Sequence, residues 1–456
     1  MNTRRVMGTL ALAGLAWWST TNGVRADDAA GATLQQLEQK VRIVERKLEI
    51  AEENATAKAK EAPTFTAGAS GFGLYSPDKA FGLRLRGDIQ ADARFFVDDE
   101  AGRLTDSFLV RRARVTFDVN AGKSFALRIQ PDFGGSSPQL LDAYVDYKKS
   151  EAFNLRFGRA KAPIGLERLQ SSTDTLFNED GFSTALTPNR VAGLQAYGSL
   201  GKGVIEYQLG VFNGVIDGDN ATSDTDDDKS LAARVWLSPF KNTDATALKG
   251  LSFGVAGSIG THTGTTNAPG LASYRSSGQS TFFSYRTSAT NSADTAIADG
   301  DSTRIAPQFY YAAGPIGILG EYVLSEQEVA NGKGSASLEN EAWQLATSWV
   351  LTGETPSLRG LNPARPFDPA KGQWGAFELK ARIGELSIDD EAFSGGYAQS
   401  SRSAKSAESI GVGLNWYPTR NTRFSLDYEQ TSFDGGATSG DRPEEKVVIA
   451  RAQVAF

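Results

Sequence analysis

Hydrophobic and polar residues alternate along most of the chain. In residues 81–95 the apolar side chains occupy every second position, and charged or amide side chains fill the positions between them. Successive side chains of a β-strand point to opposite faces, so this segment predicts a strand with one apolar and one polar face. The same alternation predicts strands at residues 109–120, 125–132, 140–147, 153–157, 204–212, 232–237, 251–258, 303–311, 316–324, 341–351, 375–383, 409–417 and 423–431.

The last strand, residues 447–456, ends in the aromatic residue Phe456. With two weaker candidates at residues 191–200 and 281–286, the total is about 16 strands, in the range of barrels that hold an aqueous channel. We therefore predict an all-β fold, a transmembrane antiparallel β-barrel over residues 63–456. A soluble sandwich or propeller would also alternate, but it would not easily explain charges opposite every apolar face. Aromatic residues near strand ends are expected at the membrane interfaces: Phe95, Phe96, Tyr144, Tyr147, Trp343, Trp349, Trp416 and Tyr417.

The N-terminal residues differ from the rest. Residues 1–26 combine two arginines, an apolar run and a small residue before two aspartates, which is the layout of a secretory signal. In residues 27–62, apolar residues repeat at heptad spacing and predict a short coiled coil followed by a linker: Leu34, Leu37, Val41, Val44 and Leu48. A single amphipathic helix lying on its own domain is the alternative.

Composition excludes several kinds of chemistry. The chain has no cysteine, and its one histidine, His262, lies in a Thr- and Gly-rich stretch without the partners of a Ser-His hydrolase. We predict no enzyme activity and no cofactor. Without residues 1–26, 44 basic residues face 54 acidic ones, so nucleic acid is an unsuitable partner.

Long polar stretches between the strands fit extracellular loops, at residues 217–229, 261–298, 325–340 and 435–443, whereas residues 200–203 fit a short periplasmic turn. The six aspartates within residues 217–228 resemble a calcium loop, but the closing glutamate is missing. A solvated acidic loop is the preferred interpretation.

Basic residues recur on the polar faces of neighbouring strands. In a narrow lumen they would form a positive ladder suited to oxyanions, because the planar arginine side chain binds such groups through two parallel hydrogen bonds. Alternatively, they pair with aspartates on the same faces and stiffen the wall. The predicted ladder consists of Arg84, Arg86, Arg114, Arg128, Arg156, Arg159 and Lys161.

Residues 158–189 lack sustained alternation. An irregular stretch of this length inside a barrel is usually functional. We predict that it folds into the lumen and forms the constriction.

Six short motifs resemble the phosphate-selective porin family of the Gram-negative outer membrane, and they occur in the family's order. They are Arg111-Arg112-Ala113, Leu141-Asp142-Ala143, Leu155-Arg156-Phe157-Gly158-Arg159 leading into Gly165-Leu166-Glu167-Arg168, Trp349-Val350-Leu351-Thr352-Gly353-Glu354, Gly375-Ala376-Phe377-Glu378-Leu379 and Gly413-Leu414-Asn415-Trp416-Tyr417.

The resemblance implies a trimeric channel whose constriction binds the anion through Arg112, Asp142 and Arg168. Arg168 replaces an expected lysine. Asp88 occupies a position at which the family has a basic residue, a role that Arg84 or Arg86 could take instead. The expected partners are small anions such as phosphate, the lipid bilayer with lipopolysaccharide, two further copies of the chain and, through a periplasmic coiled coil, peptidoglycan.

We therefore expect an outer-membrane porin for passive diffusion of phosphate or related oxyanions. A general porin with weak ion preference remains open because of Asp88. A barrel that anchors the envelope through its coiled coil is a further alternative.

Overall fold

The computed structural model describes residues 26–99, 104–214, 216–218, 220 and 227–456. The predicted signal segment, residues 1–26, lies outside this part of the chain except for its last residue. Two compact units are present, Met1–Ala62 and Pro63–Phe456.

Helix α1, Ala26–Glu61, forms the described part of the first unit. It confirms the predicted helix and continues through the Ala- and Lys-rich residues that the sequence suggested as a linker. The five apolar residues of the heptad seam are exposed in the single chain, and Leu34 is 64% exposed. Whether they pair with other copies stays a prediction. Neither helix of the described residues is long and apolar enough to cross a membrane.

The second unit is built from strands. A four-residue helix, α2 (Glu391–Ser394), and 3₁₀ turns at Phe182–Leu186, Ser292–Asp294 and Pro369–Lys371 interrupt them. The strands are β1 (Thr64–Gly68), β2 (Gly71–Tyr75), β3 (Phe81–Val97), β4 (Ser107–Ala121), β5 (Phe125–Asp132), β6 (Gln139–Lys148), β7 (Asn154–Lys161), β8 (Arg190–Leu200), β9 (Ile205–Asn213), β10 (Lys229–Leu237), β11 (Ser252–Thr263), β12 (Ser273–Arg275), β13 (Thr281–Ser284), β14 (Ile297–Ala313), β15 (Ile316–Asn331), β16 (Gly334–Val350), β17 (Ala376–Ser387), β18 (Ala404–Thr419), β19 (Thr422–Gly435) and β20 (Glu445–Ala455).

Sixteen of these described strands, β3–β11 and β14–β20, pair with their neighbours in antiparallel fashion and close into a barrel. The ring closes between β3 and β20, with Val97 opposite Lys446 and Asp88 opposite Ala455. The hairpin β1–β2 extends the same edge of β3, where the ring of Phe72 packs edge-on against that of Phe456 at 5.6 Å. The predicted barrel is confirmed.

The alternation of the sequence separates the two faces of the wall. Apolar side chains such as Ile89 and Phe157 point outward and are exposed in the single chain, whereas charged and amide side chains such as Asp92 point inward and are buried. This division is that of a barrel whose outer face meets lipid. Two of the aromatic residues assigned to the interfaces were wrongly placed. Tyr144 and Tyr417 are buried side chains that line cavities inside the barrel.

We call the end of the barrel where β3 begins and β20 finishes the terminal end, and the opposite end the loop end. Two assignments near the loop end were wrong. Residues 325–340 are no long loop, because β15 and β16 continue as a hairpin to Asn331 and Gly334. The candidate strand at residues 281–286 contributes β13, which pairs with β12 rather than with the barrel. The predicted acidic loop lies partly outside the described residues; of its described aspartates, Asp227 is exposed, whereas Asp217 is buried and its Oδ1 accepts a hydrogen bond of 2.6 Å from Arg304.

Candidate functional site: the inner loop and the lumen cavity

Between β7 and β8 the chain leaves the wall and enters the lumen as residues 162–189, which we call the inner loop. It is fastened there by bonds to inward-facing groups of β3, β15, β17, β19 and β20. Gly165 has a φ of +86°, and a Cβ on it would lie 3.0 Å from the Cβ of Arg168, so this turn requires glycine. The predicted inward loop is present, but it begins at residue 162 because β7 continues through Lys161.

Glu179 is the centre of a buried charge cluster on the inner loop. Its Oε1 lies 2.6 Å from Nη2 of Arg94, 2.8 Å from Nε of Arg111 and 3.2 Å from Nη2 of Arg451. Burial would raise the pKa of Glu179, but Arg111, Arg94 and Arg451 together hold it well below its usual range. The carboxylate therefore stays ionised, and strands β3, β4 and β20 fix the inner loop through it.

Arg111 reaches Glu179 because β4 contains a β-bulge. Gln90 of β3 lies opposite Arg112, whereas the next residue, Ala91, lies opposite Val110. Arg111 is thus the extra residue, and such an insertion changes the direction of nearby side chains. Both arginines are turned toward the interior.

Further buried pairs join the inner loop to the wall at β17–β19. Nζ of Lys380 lies 2.6 Å from Oδ1 of Asp427, whose Oδ2 accepts a hydrogen bond of 2.8 Å from the backbone N–H of Asn178. Nη2 of Arg382 donates to Glu429 at 2.8 Å. Polar contacts, including the bond of 3.0 Å from Nη1 of Arg382 to the backbone carbonyl of Glu179, therefore hold the inner loop against this side of the wall.

Glu167 anchors another part of the inner loop. Its Oε2 accepts hydrogen bonds of 2.8 Å from the backbone of Gly181 and from the side chain of Gln344, and its Oε1 lies 3.7 Å from Arg382. Burial raises the pKa of Glu167 to about 7, although Arg382 acts in the opposite direction. This carboxyl group is poised to titrate near neutral pH.

Each of the three residues assigned to the anion has its own protein partners. Nη1 of Arg112 donates a hydrogen bond of 2.7 Å to the amide oxygen of Gln90. Oδ1 of Asp142 accepts one of 2.8 Å from Nε of Arg190. Nη2 of Arg168 donates to the backbone carbonyl of Thr184 at 2.5 Å.

Two of the three residues assigned to the anion, Asp142 and Arg168, lie near Lys161. This lysine interacts electrostatically with Arg190, Arg168 and Asp142, so Asp142 and Arg168 share one group at the base of the inner loop. Arg112 interacts instead with Arg111 and Glu179. In the described part of the chain, the three predicted residues thus divide between two adjacent groups.

The predicted ladder lies along the wall and is largely paired with aspartates. Asp118 alone accepts hydrogen bonds from three arginines, which leaves that group with a positive charge of about two. The distances from guanidinium nitrogen to carboxylate oxygen are 3.4 Å for Arg84–Asp118, 2.8 Å for Arg86–Asp118, 2.8 Å for Arg128–Asp118, 2.8 Å for Arg114–Asp132 and 2.8 Å for Arg156–Asp146.

A cavity of about 720 Å³ lies on the terminal side of the inner loop, and we call it the lumen cavity. Its lining includes five of the seven predicted ladder residues; Arg84 and Arg159 are not among the residues that line it. Nine basic side chains line it, namely Arg86, Arg114, Arg128, Arg156, Lys161, Arg190, Arg234, Lys241 and Arg359, against four acidic ones, Asp88, Asp142, Asp174 and Glu206. The lining thus carries a clear excess of positive charge.

Residues 351–375, between β16 and β17, form a long connection at the terminal end, which we call the strap. Leu358 and Arg359 of the strap line the lumen cavity, and a Cβ on Gly360 would lie 3.0 Å from Oδ1 of Asp174 in the inner loop. The strap therefore reaches into the barrel as far as the inner loop. The sequence offered a signal for it, since four prolines within a long irregular stretch favour a functional loop.

Asp88 lines the lumen cavity together with Arg86 and Arg114. Its Oδ2 is buried and has no hydrogen-bond partner in the described part of the chain. The position thus places a carboxyl group between two arginines of the lining.

Comparison with known proteins agrees with this geometry. The family model for phosphate-selective porins O and P matches residues 83–456. Porin O of Pseudomonas aeruginosa strain PAO1 is 22% identical over 408 residues, which are 85% of this chain and 91% of that protein.

Two solved structures share the fold. The outer-membrane channel DcaP of Acinetobacter baumannii superposes with a TM-score of 0.52 at 14% identity, over 83% of this chain and 98% of that one. An anion-selective porin from Comamonas acidovorans gives 0.50 at 12% identity, over 82% and 99%. The match over most of the sequence shows that the chain belongs to the family of phosphate-selective porins O and P.

Proposed function

We propose that the barrel is a diffusion channel for small anions, phosphate or related oxyanions first. One observation carries this proposal, the excess of basic over acidic side chains around the lumen cavity. Positive charge in a narrow lumen raises the local concentration of anions and lowers that of cations. Transport by diffusion requires neither a cofactor nor a catalytic step, so we propose that the chain is no enzyme.

The paired arginines are consistent with both interpretations of the sequence, a positive ladder for anions and ion pairs that stiffen the wall. Asp118 positions Arg84, Arg86 and Arg128, and the surplus charge of this group remains available to a passing anion. An anion that leaves water must exchange its hydration for such donors, and arginine presents several at fixed geometry.

We assign the narrowest part of the path to the groups around Arg168 and Arg112. Arg168 stands on the inner loop, and Asp142 holds Arg190 on the facing wall at 2.8 Å. Lys161 adds a further hydrogen-bond donor to the first group, and its Nζ donates to the backbone carbonyl of Gln170 at 2.5 Å. An oxyanion would meet donors from both the inner loop and the wall.

A general porin with weak ion preference is the second candidate, and Asp88 favours it. Its carboxylate lies in the basic lining and reduces the positive potential there. In the oxyanion channel phosphate binds in the lumen, whereas in a general porin phosphate passes without binding.

Titration of phosphate against the chloride conductance of the purified protein in planar bilayers separates them. We expect phosphate to reduce chloride current, and the substitutions Arg168→Gln and Arg114→Gln to weaken that block. Arg46→Gln, on the exposed surface of α1, is the matched control. Chloride current that is insensitive to phosphate would leave the general porin.

The assembly is a separate proposal. We infer a homotrimer in the outer membrane, in contact with lipopolysaccharide, with α1 in the periplasm as a coiled coil that could contact peptidoglycan. The exposed heptad seam of α1 supports this proposal, because isolated apolar helix faces tend to find partners. Deletion of residues 27–62 should leave the conductance of each pore unchanged and weaken the trimer on semi-native gels. If the deletion variant loses a function of the envelope while trimers persist, α1 acts as an anchor instead.

A further inference from the structure

The lumen cavity has a second side that is mainly apolar. Five large apolar or aromatic side chains from two strands, the inner loop and the strap line it, and we call them the aromatic patch: Leu166, Leu169, Trp236, Tyr310 and Leu358. Trp236 and Leu166 pack in one buried cluster, against which Tyr310 and Leu358 lie half-buried. The patch is therefore continuous, although its members come from separate parts of the chain.

The basic side of the same cavity also contains aromatic rings. The guanidinium of Arg156 lies 3.9 Å from the ring centroid of Tyr144, and that of Arg128 lies 5.7 Å from it. Arg156 also lies 5.0 Å from the ring centroid of Tyr197, and its Nε and Nη2 donate to Asp146, so the carboxylate of a ligand would bind to other basic side chains of the lining. On the opposite side, Arg234 lies 4.8 Å from the ring of Trp236.

Inorganic phosphate makes no use of such a lining. A tetrahedral ion that keeps part of its hydration gains nothing from apolar side chains, whereas an organic anion can bury its carbon skeleton against them. The cavity, at about 720 Å³, lies in the size range of small-molecule sites rather than that of a single oxyanion.

We propose that the lumen cavity binds aromatic carboxylates, with the carboxylate on the basic wall and the ring on the aromatic patch. This inference rests on the proposed anion channel and names a substrate class for it. Phosphate and simple carboxylates still pass, and ring-bearing anions are retained more strongly.

Benzoate and acetate provide the test because both carry one carboxylate and only benzoate has a ring. Chloride conductance of the full chain in planar bilayers is measured while either anion is added. We expect benzoate to reduce the current by half at a concentration about three- to tenfold lower than acetate does. Tyr310→Ala and Leu358→Ser should bring the two concentrations to within about twofold of each other, with block by phosphate unchanged.

The controls make each outcome decisive. Trp374→Ala removes an exposed aromatic side chain of the strap outside the cavity lining, and it should keep the preference for benzoate. Equal block by benzoate and acetate in an anion-selective channel would overturn this inference and leave the proposed function intact. A preference for benzoate that survives both patch variants would also overturn it. If the unmodified protein does not select anions, the proposed function itself is contradicted.

Discussion

The clearest effects of single residues in this barrel are electrostatic, because a buried charged side chain neutralises its charged neighbours. Glu179 illustrates this because one buried carboxylate serves Arg94, Arg111 and Arg451. Removal of one partner from a buried ionic contact leaves the remaining charges without compensation, which costs about 3–5 kcal/mol. The position of the inner loop should therefore depend on this one side chain.

Glu179→Gln should release the inner loop and add a net positive charge to the lumen. We expect higher and noisier single-channel conductance together with stronger anion selectivity. Glu444→Gln, an exposed carboxylate between β19 and β20, should leave both properties unchanged. Wild-type conductance in Glu179→Gln would mean that the inner loop is held by its other contacts alone.

Glu167 gives the channel a dependence on pH. Its folded-state pKa of about 7 lies above its usual value, so the contribution of this group to loop anchoring is greatest at low pH and is lost as pH rises through about 7. The charged groups that face it are Arg382, Asp180 and Glu321. We expect current noise to increase between pH about 6 and 8, and Glu167→Gln to abolish that change. An unchanged increase in the Gln variant would assign the effect to another group.

At the scale of elements, the alternation of apolar and polar residues predicted the barrel strands because lipid on one side and the lumen on the other impose different chemistry. Where a strand extends beyond the lipid or beyond the lumen, the alternation of apolar and polar residues ends as well. Residues 325–340 were therefore read as a loop, although β15 and β16 continue there with a polar outer face and with Val329 and Leu338 buried on the inner face. The two strands therefore extend beyond the segment in which an apolar outer face and a polar inner face indicate them.

The bulge at Arg111 was missed for a related reason. The outward-facing apolar residues of β4 are even-numbered at Phe108 and Val110 but odd-numbered at Phe117, although the apolar Leu109 makes the change less clear. This change of phase is visible in the sequence and indicates one inserted residue. The partner of Arg111, Glu179, could not be predicted, because no local pattern shows where an irregular loop places a carboxylate.

The strap is an element with a prediction of its own. Arg359 is exposed and lines the lumen cavity, whereas Arg365 is exposed on the same strap and lies outside the lining. Arg359→Gln should lower the anion-to-cation permeability ratio by about two- to threefold with no loss of barrel stability, while Arg365→Gln should not. The reversal potential of each variant checks this, and equal effects of both substitutions would show that the strap contributes only general surface charge.

At the scale of the whole molecule, the inner loop is bonded to the wall at β17, β19 and β20, and the basic lining of the cavity lies on its terminal side. The sequence predicted the barrel, its strand number and most of the basic residues of that lining. These predictions need only the alternation of apolar and polar residues within each strand. It could not predict that Asp142 and Arg168 would share a group with Lys161 while Arg112 joined Glu179. Those neighbourhoods depend on the path of a loop across the lumen.

The central claim is that this basic lining makes the channel select anions although the chain carries a net negative charge of −7. The measurement that tests it most directly is the reversal potential of the purified protein in a planar bilayer under a potassium chloride gradient. We expect the sign that corresponds to greater permeability for chloride than for potassium. A reversal potential near zero, or of the opposite sign, would contradict the account.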